Sequence, residues 1–459
     1  MIANISVSLL ILLTFEKNSE KQKNKNINFH KKGMIDIKLI RENPEIVKES
    51  QRKRKLDDKI VDEIRELDEK WRNSLIETDQ LKHQKNVVTK EIAEIKKKKG
   101  DVKDLIKKMD ELNKKLEELD IQAKYFLEKR DALLMKLGNI LHEDVPEGKD
   151  ENDNVEIKRW GTPRKFDFPI KSQDEIIKDL NLADIERGTK ISGARFWFLK
   201  NDLVKLDLAL QRFALDLLIE KGYTPLHPPL MIKYKAMAGT SSMDKFKDQI
   251  YKIEKEDLYL IPSSEQAMIS SRMDEVIDAK ELPIKYVGVS SCFRIEAGTH
   301  GKDEKGIFRG HQFNKVEQNI ICKPEDSYKY HEELLSNLEE IFQKLNIPYR
   351  ISLICSGDIG IKDAKQYDLE GWFPGQSKYR ELGSCSNVTE WQSRRLNMRY
   401  EEKTGGERRY VHTLNATAIA TGRAMACILE NYQQKDGSIK IPDVLVPYMN
   451  GQTEIRKKL

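Results

Sequence analysis

The sequence predicts an α+β fold in which an antiparallel coiled-coil arm precedes a larger body of antiparallel strands and helices. Between residues 57 and 137, apolar residues recur at alternating steps of three and four, which is typical of coiled-coil helices. After the polar stretch EDVPEGKDENDN at 143–154, short apolar runs alternate with glycine and proline. Charged residues make up 34% of the 459 residues, which favours long solvated helices beside a compact body.

Composition excludes several classes of protein. The net charge is only +5, so bulk charge does not establish a nucleic-acid partner. The five cysteines lie 30 or more residues apart without a C-x-x-C pair, which argues against a zinc knuckle or a disulfide framework. We therefore expect reduced thiols and a cytoplasmic protein. No run of about 18 apolar residues predicts a transmembrane helix.

Residues 1–33 begin with an apolar run, MIANISVSLLILLTF, that resembles the core of a signal peptide. No basic residue precedes this run and no small-residue cleavage site follows it, so the pattern of a signal peptide is incomplete. The segment MIDIKLIREN starts an ordered pattern at Met34. We expect residues 1–33 to be a non-native or disordered extension.

The arm consists of two apolar seams that flank the sequence KKKKGD at 96–101. The first seam runs from Ile60 to Ile95, and the second runs from Val102 to Leu137 with an interruption at Arg130. Gly100 is expected to end one helix in the left-handed conformation, and Asp101 to cap the next. The two helices must then fold back on each other as an arm of roughly 60 Å.

Lysines concentrate at the tip of this arm. Residues 82–103 hold eight lysines against three acidic residues. A charge run is usually a solvated face, but a basic tip on a projecting arm also suits phosphate contacts with a nucleic acid. Taken alone, the tip leaves a nucleic acid and a protein partner equally open.

The body carries strand and helix signals in alternation. Residues 202–221 predict an amphipathic helix, and GYTPLHPPLM predicts an edge strand because proline is excluded from central strands. VGVSSCFRIEAG and IFRGHQFNKVEQNII predict a strand, a loop and an antiparallel strand. TLNATAIATGRAMACILENYQ predicts a strand or turn that leads into a helix. No GxGxxG or GxxxxGK[ST] is present, so a nucleotide would need another scaffold.

Several charged and aromatic side chains share faces in these segments. Arg294 and Glu296 are two apart, and Arg309, Phe313 and Glu317 are four apart, so each set points to one face of a predicted strand. The segment TGRA adds Arg423 at the start of a predicted helix. Three arginines beside an aromatic ring suit a polyphosphate and a stacked base. Singly, each has an ordinary structural explanation as a surface pair, a core ring or a cap.

Together these segments resemble the class II aminoacyl-tRNA synthetases, and within them the seryl-tRNA synthetase family. The resemblance covers about residues 34–450. Motif 1 resembles KGYTPLHPPLM with Pro229, motif 2 resembles CFRIEAG and GIFRGHQFNKVEQ, and motif 3 resembles the stretch that ends in TGRA. YLIPSSEQAM and YRELGSCSNVTEWQSRR are particular to the seryl family. The resemblance implies an ATP-dependent ligase, with 151–459 as a class II catalytic domain whose antiparallel β-sheet is flanked by helices.

For ATP, the resemblance implies that Arg294 holds the α-phosphate, that Glu296 and Phe313 bind and stack on adenine, and that Arg309 and Arg423 hold the β- and γ-phosphates. Arg294 and Arg423 are the implied catalytic residues. The segment ELGS supplies further contacts and the Mg²⁺ ligands Glu381 and Ser384. The full implied ATP set is Arg294, Ile295, Glu296, Arg309, Phe313, Glu381, Leu382, Gly383, Ser384 and Arg423.

For L-serine, the resemblance implies contacts to the amino group, the carboxylate and the hydroxyl. The implied positions are Ser263 and Glu265 with Ser264 between them for the amino group, Arg294 for the carboxylate, and Glu317 and Thr417 for the hydroxyl. Many members have threonine where this chain has Ser263, and the hydroxyl is kept. Glycine or alanine would leave buried polar groups unpaired, which is the expected basis of discrimination.

The resemblance also assigns a partner to the arm. In this family the arm grips the long variable arm of tRNA-Ser across a homodimer, for which motif 1 builds the interface. The implied tRNA-binding residues are Lys85, Lys96, Lys97, Lys98 and Lys99, within a tRNA-binding domain at 34–150. tRNA-Sec is a second candidate substrate.

Three alternatives compete with this interpretation. A related enzyme that aminoacylates a carrier protein would lack the tRNA-binding arm. A coiled-coil scaffold with a decayed nucleotide fold is disfavoured by the intact Arg294, Glu317, Glu381 and Arg423. A zinc-dependent seryl enzyme is disfavoured by the scattered cysteines. Neither reaction step needs a side-chain nucleophile, so His311 is expected to be structural rather than catalytic.

Overall fold

The computed structural model describes residues 35–243, 247–296 and 305–457. The chain divides into two compact units. The smaller unit runs up to Glu49 and resumes over Asp57–Leu137, and the larger unit comprises Ser50–Leu56 and the chain from Gly138 onward. The predicted extension at 1–33 lies outside the described residues. In the described ranges, no helix combines the length and the apolar character needed to cross a bilayer.

Residues 35–137 form four helices, and the last two are the predicted coiled-coil arm. They are α1 (Ile37–Glu42), α2 (Pro44–Lys53), α3 (Ile60–Lys97) and α4 (Lys103–Leu134). Helices α3 and α4 pack along each other in opposite directions. At 1.5 Å per residue, the 38 residues of α3 span about 57 Å. The two seams and their antiparallel pairing are therefore confirmed.

The turn between α3 and α4 differs from the prediction at two residues. Lys99, with φ of 54°, takes the left-handed conformation that was expected of Gly100. Glycine is still required there, because a Cβ on Gly100 would fall 2.8 Å from Cγ2 of Ile95. The N-cap of α4 is Val102 rather than the predicted Asp101, although Oδ1 of Asp101 accepts a hydrogen bond from the backbone N–H of Lys103, the first helical residue, at 3.0 Å.

The interruption of the second seam at Arg130 is explained by a buried aspartate on the facing helix. Arg130 Nη1 lies 2.9 Å from Oδ1 of Asp68, which is 1% exposed. Arg41 and Arg72 approach Oδ2 of the same carboxylate at 2.7 and 3.0 Å. The Arg130 guanidinium also lies 4.7 Å from the ring centroid of Trp71. The polar position in the seam is therefore fully paired, and it fixes the register of the two helices.

Replacing Asp68 with alanine is expected to destabilise the arm by about 1–3 kcal/mol, because Nη1 of the buried Arg130 then loses its acceptor, although Nη2 keeps its contact with Asp131 at 2.7 Å. Burial raises the pKa of Asp68, but the hydrogen bonds and charges of Arg41 and Arg130 lower it by a larger amount. The net shift of the Asp68 pKa is therefore downward. This stabilisation is complete above the ordinary aspartate pKa of about 3.9 and is lost as the pH falls through the lowered value. Hydrogen–deuterium exchange of α3 and α4 measures the change.

The exposed Asp62 on the same helix provides the matched control for Asp68. The Asp62→Ala variant is expected to exchange like the unmodified protein, since exposed ion pairs contribute about 0–1 kcal/mol. Equal protection of α3 and α4 in both variants would contradict the assigned role of Asp68.

The larger unit is organised around an eight-stranded sheet. The strands of the chain are β1 (Val155–Trp160), β2 (Ala183–Asp184), β3 (Phe198–Leu199), β4 (Thr224–Leu226), β5 (Met231–Ile232), β6 (Tyr259–Leu260), β7 (Val276–Asp278), β8 (Ile284–Phe293), β9 (Gln312–Cys322), β10 (Tyr349–Leu353), β11 (Lys365–Phe373), β12 (Lys378–Thr389), β13 (Arg399–Glu401), β14 (Arg408–Tyr410), β15 (His412–Ala420), β16 (Ile439–Lys440) and β17 (Glu454–Ile455). The large sheet has the order β1-β10-β11-β12-β15-β9-β8-β4. All its neighbours pair antiparallel except β8 and β4, which are parallel.

Helices cover this sheet. They are α5 (Gln173–Leu180), α6 (Ile185–Ser192), α7 (Asp202–Glu220), α8 (Tyr234–Thr240), α9 (Ser264–Ser270), α10 (Ser327–Lys344), α11 (Trp391–Leu396) and α12 (Thr421–Asn431). All residues of the central strand β15 except His412 are buried, so side chains on both of its faces are covered. The main core joins α7, α10 and α12 to the central strands. This arrangement confirms the predicted antiparallel sheet flanked by helices.

Individual elements of the larger unit also match the predictions made from the sequence. Helix α7 coincides with the predicted helix, and Pro225 lies in β4 at the edge of the sheet, as a strand proline requires. The predicted strand-to-helix segment is β15 followed directly by α12. The parallel pairing of β4 with β8 is not readable from the sequence, because register there is set by the neighbouring helices rather than by a local turn.

Candidate active site

The charged and aromatic side chains of the predicted motifs meet in one cavity of the larger unit. Strands β9, β12 and β15, the chain after β8 and the start of α12 all contribute to its walls. The lining includes Arg294, Glu296, Phe308, Arg309, Phe313, Lys315, Glu381, Leu382, Ser384, Thr417 and Arg423. The convergence of three arginines with an aromatic ring, expected from the sequence, is therefore present.

The route by which two arginines reach the cavity differs from the prediction. Strand β8 ends at Phe293, so Arg294 and Glu296 follow the strand rather than lie on it. Glu296 has φ of 52°, which is incompatible with a regular strand. Arg309 precedes β9, which begins at Gln312. The predicted strand placement of these three residues is wrong, and loop geometry brings them into the cavity instead.

Arg294 directly follows the end of β8 and is held there by contacts of both its backbone and its side chain. Its backbone N–H donates to the carbonyl of His311 at 2.9 Å, and its Nε donates to the carbonyl of Pro262 at 3.2 Å. The guanidinium carbon lies 5.2 Å from the ring centroid of Phe313. The cation and the ring therefore share one wall, where a phosphate and a flat base could be bound side by side.

Arg309 is oriented by Glu296. Its Nη1 lies 3.1 Å from Oε2 of Glu296, while Arg195 donates to the Glu296 carbonyl at 2.9 Å. The Nε of Arg309 is buried and has no hydrogen-bond partner within the described ranges. A buried donor normally finds an acceptor, so this nitrogen is suited to an anionic ligand.

Arg423 and Glu381 form the opposite wall. Their closest atoms, Nη1 and Oε1, are 2.7 Å apart, and the Arg423 guanidinium carbon lies 5.4 Å from the ring centroid of Phe308. Burial raises the pKa of Glu381, but the positive charge of Arg423 outweighs this effect. The pKa is therefore lowered overall, and the carboxylate stays ionised. Arg423 lies in the first turn of α12, where the N-terminal end of the helix dipole also favours an anion.

Glu381 and Ser384 both face the cavity although they are three residues apart on β12. Side chains three apart on a regular strand point to opposite faces, but the register with β11 shifts between Leu369 and Glu370. This bulge turns both side chains to one side. Among the described residues no group of three or more acidic, histidine or cysteine side chains could hold a metal by itself. The carboxylate and hydroxyl therefore fit Mg²⁺ only as partial ligands, with substrate phosphates completing the shell.

The predicted amino-group ligands lie at the start of α9. Ser263 is the N-cap, and its Oγ accepts a hydrogen bond from the backbone N–H of Glu265 at 3.3 Å. Glu265 is 5% exposed, and its Oε1 accepts hydrogen bonds from Gln392 at 2.8 Å and Asn415 at 3.2 Å. The Ser264 hydroxyl is buried without a partner in the described ranges. A buried, firmly held carboxylate suits an ammonium ligand.

Glu317 and Thr417 face each other across β9 and β15. They are 1% and 3% exposed, and the Lys315 ammonium contacts the Glu317 carboxylate. Burial raises the pKa of Glu317, and Lys315 opposes this shift. Gly383 on β12 leaves the space for this pair, because a Cβ there would fall 2.9 Å from Cβ of Thr417. The pair forms a polar floor suited to a small hydroxylated ligand.

Of the remaining predicted residues, Leu382 contributes to the lining of the cavity, whereas Ile295 and the predicted tRNA-binding lysines are not among its lining residues. The backbone N–H of Ile295 donates to the carbonyl of Gln249 at 2.9 Å. The side chain of Leu382 is fully buried. The predicted tRNA contacts lie in the smaller unit: Lys96, Lys97, Lys98 and Lys99 are exposed at the end of α3, and Lys85 is half-buried within it.

Sequence reasoning missed five residues that shape the site. Lys315 and Asn415 lie two positions from Glu317 and Thr417 on the same strands, so strand alternation could have found them. No spacing rule marks the other three, although Phe308 adjoins Arg309 and Gln392 lies within the segment YRELGSCSNVTEWQSRR. Those three are Phe308, Lys362 and Gln392.

Sequence comparisons place both parts of the chain in known families. Residues 34–141 match the profile of the seryl-tRNA synthetase N-terminal domain. Residues 246–432 match that of the tRNA synthetase class II core domain (G, H, P, S and T). A serine–tRNA ligase of Pyrococcus horikoshii is 49% identical over 437 residues, covering 90% of this chain and 96% of that protein. One of Methanoregula boonei is 48% identical, with coverage of 91% and 99%.

Comparison with solved structures gives the same result as the sequence comparisons. The crystal structure of seryl-tRNA synthetase from Pyrococcus horikoshii complexed with ATP superposes with a TM-score of 0.90 at 48% identity, covering 93% of this chain and 100% of that one. A cytoplasmic serine–tRNA ligase from Naegleria fowleri in complex with AMP gives a TM-score of 0.84 at 38% identity, with coverage of 93% and 99%. The motif resemblance is confirmed, and the chain belongs to the seryl-tRNA synthetase family of ATP-dependent serine–tRNA ligases.

Proposed function

We propose that this enzyme activates L-serine with ATP in the cavity of the larger unit and then transfers the seryl group to tRNA-Ser. The observation that carries the proposal is the meeting of three arginines and Phe313 in one cavity whose lining includes Thr417, with the buried Glu317 opposite Thr417 on the neighbouring strand. Positive charge suits a triphosphate, and the small acidic floor suits a hydroxylated amino acid. A carrier-protein acceptor finds no support, since the curated relatives are serine–tRNA ligases.

Binding of ATP follows from the walls of the cavity. Arg294 would hold the α-phosphate, and the adenine would lie on Phe313 with Glu296 at its edge. Arg309 and Arg423 would hold the β- and γ-phosphates, which accounts for the buried, unpaired Nε of Arg309. Because these guanidinium groups are fixed before the reaction, they stabilise the charge that develops on the phosphates without further reorganisation.

Serine would bind beside the α-phosphate with its three polar groups separated. Glu265 and the Ser263 hydroxyl would take the ammonium, and Arg294 the carboxylate. Glu317 and Thr417 would take the hydroxyl on the polar floor. An amino acid without the hydroxyl leaves this buried pair unsatisfied, so selectivity arises from the cost of an unmade hydrogen bond.

The chemistry proceeds by alignment. A serine carboxylate oxygen attacks the α-phosphorus, pyrophosphate leaves, and seryl-adenylate forms. A ribose hydroxyl at the 3′ end of tRNA then attacks the seryl carbonyl carbon, and AMP leaves. Mg²⁺, which Glu381 and Ser384 would help to hold, neutralises phosphate charge when bound. Holding the reactants in line supplies much of the acceleration, so no protein nucleophile is required.

We further propose that residues 34–150 act as the tRNA-binding domain and that 151–459 act as the catalytic domain of a homodimer. The exposed Lys96–Lys99 at the end of α3 suit the phosphates of the long variable arm of tRNA-Ser, reached across the dimer. tRNA-Sec is proposed as a second acceptor. The five cysteines are free and buried, which is compatible with the proposed cytoplasmic location.

Deleting residues 82–103 is expected to leave serine-dependent ATP–pyrophosphate exchange unchanged and to reduce seryl-tRNA formation by about 10²-fold or more, because several phosphate contacts are lost together. Attachment of labelled serine to tRNA-Ser and tRNA-Sec measures the second step. A variant with Lys440→Met, an exposed lysine of the larger unit, serves as a charge control. Unchanged tRNA charging in the deletion variant would contradict the role of the arm.

A further inference from the structure

A lysine outside all the predicted motifs contacts the carboxylate proposed to bind the serine ammonium. Lys362 lies in the loop between β10 and β11 and is largely buried. Its Nζ is 3.1 Å from Oε1 of Glu265 and 3.0 Å from Oδ1 of Asp363. One ammonium group thus joins two buried carboxylates beside the proposed serine pocket.

The hydrogen bonds to Glu265 are divided unevenly between its two oxygens. Oε1 receives Lys362, Gln392 at 2.8 Å and Asn415 at 3.2 Å. Oε2 accepts a long hydrogen bond, 3.4 Å, from Nε2 of Gln266. Three donors therefore fix the orientation of the carboxylate through one oxygen, and they leave the other suited to a cationic ligand.

The loop that carries Lys362 is itself held in place. The buried Arg54 donates to the carbonyl of Gly360 at 3.0 Å and also to the carbonyl of Asp363. Its Nε donates to the carbonyl of Asn139 at 2.9 Å. Both residues that flank this part of the loop are anchored, so the position of the Lys362 ammonium is set before any ligand binds.

The buried carboxylates around Lys362 indicate what its positive charge does. Glu265 lies close enough to two other buried carboxylates, Asp363 and Glu317, to raise the pKa of each. Lys315 contacts Glu317, and Lys362 contacts the other two. Without Lys362, Glu265 would have only neutral hydrogen-bond donors beside two like charges, and its carboxylate would turn away from them.

We propose that Lys362 is a positioning residue that holds the Glu265 carboxylate oriented toward the α-ammonium group of serine. Lys362 does not itself touch the substrate, and it acts through Glu265. The inference rests on the proposed serine site and adds a determinant of amino-group recognition. It predicts that loss of Lys362 weakens only those ligands that carry the α-amino group.

Two stable ligands test this selectivity by calorimetry on the full-length protein. One is 5′-O-[N-(L-seryl)sulfamoyl]adenosine, and the other is the same molecule without its α-amino group. In Lys362→Met, affinity for the first is expected to fall by about 10- to 100-fold while affinity for the second is unchanged. Lys362→Arg is expected to restore part of the loss, and Lys440→Met is expected to bind both ligands like the unmodified protein.

Lys362→Gln keeps a neutral donor and provides a milder variant if Lys362→Met fails to fold; a selective loss of the amino-bearing ligand in it supports the proposal. Equal weakening of both ligands, or no change in either, would overturn the role of Lys362. Failure of the unmodified protein to prefer the amino-bearing ligand would instead overturn the proposed serine site, so the two failures are distinguishable.

Discussion

Replacing Glu317 with alanine is expected to abolish serine-dependent ATP–pyrophosphate exchange, with a loss of about 10³-fold or more. Glu317 is 1% exposed and lies opposite Thr417, so it can bind a serine hydroxyl only in a site shielded from water. Its removal takes away that acceptor and leaves the buried Lys315 without its anionic partner. Titration with ATP is expected to show binding within a few-fold of the unmodified protein, because the arginines proposed to bind the phosphates are retained.

Two further variants separate recognition from stability. Glu317→Gln keeps the shape of the side chain and removes its charge, so it is expected to retain the fold and lose most exchange activity. Glu402→Ala, at an exposed glutamate of the same unit, is expected to retain both. Thermal unfolding of each variant reports any loss of stability from the unpaired Lys315. Normal serine activation by a folded Glu317→Ala variant would contradict the assignment of Glu317 to the serine hydroxyl.

Replacing Arg294 with alanine is expected to lower the rate of serine activation roughly a thousandfold, because it removes a fixed positive charge from the reacting phosphate. The side chain is held by the Pro262 carbonyl and lies over Phe313, so its orientation is set before ATP arrives. Arg294→Lys is expected to restore only part of the rate, since an ammonium group lacks the planar fork of the guanidinium. Single-turnover formation of seryl-adenylate measures this step directly.

Arg187 provides a control for the loss of an arginine, because its side chain is 77% exposed and pairs with Asp184, three residues earlier, at 2.7 Å. The Arg187→Ala variant is expected to activate serine at the normal rate. If Arg294→Ala formed adenylate as fast as Arg187→Ala, the proposed contact with the α-phosphate would be wrong.

Elements governed by local rules were predictable from the sequence. The two seams of α3 and α4 follow a helical period over more than 30 residues each, so their pairing is readable without any tertiary information. Pro225 could only occupy an edge strand, and it does. Arg423 follows a small-residue strand and begins a helix, as its segment indicates. Recognition of the family depended on whole motifs rather than on any of these elements.

Features governed by tertiary contacts were not predictable. Arg294, Glu296 and Arg309 were assigned to strands because alternation is the only local signal, yet loop contacts position them. The bulge in β12 that turns Glu381 and Ser384 to one side depends on the register with β11.

Polar residues in unexpected places also required the structure. Arg130 interrupts a seam because Asp68 pairs with it from a position 62 residues away. Lys362 reaches Glu265 across nearly a hundred residues of intervening sequence, and no spacing rule connects them. Such long-range ion pairs follow from the fold and cannot be read from the local sequence.

ATP–pyrophosphate exchange tests the central claim most directly. The assay is run on the purified protein without tRNA, with each amino acid supplied separately. Exchange that depends on serine alone is the predicted result, because serine carries both an ammonium group for Glu265 and a hydroxyl for Glu317 and Thr417, whereas glycine and alanine lack the hydroxyl. Exchange driven by glycine or alanine, or no exchange with any amino acid, would contradict the proposed serine site.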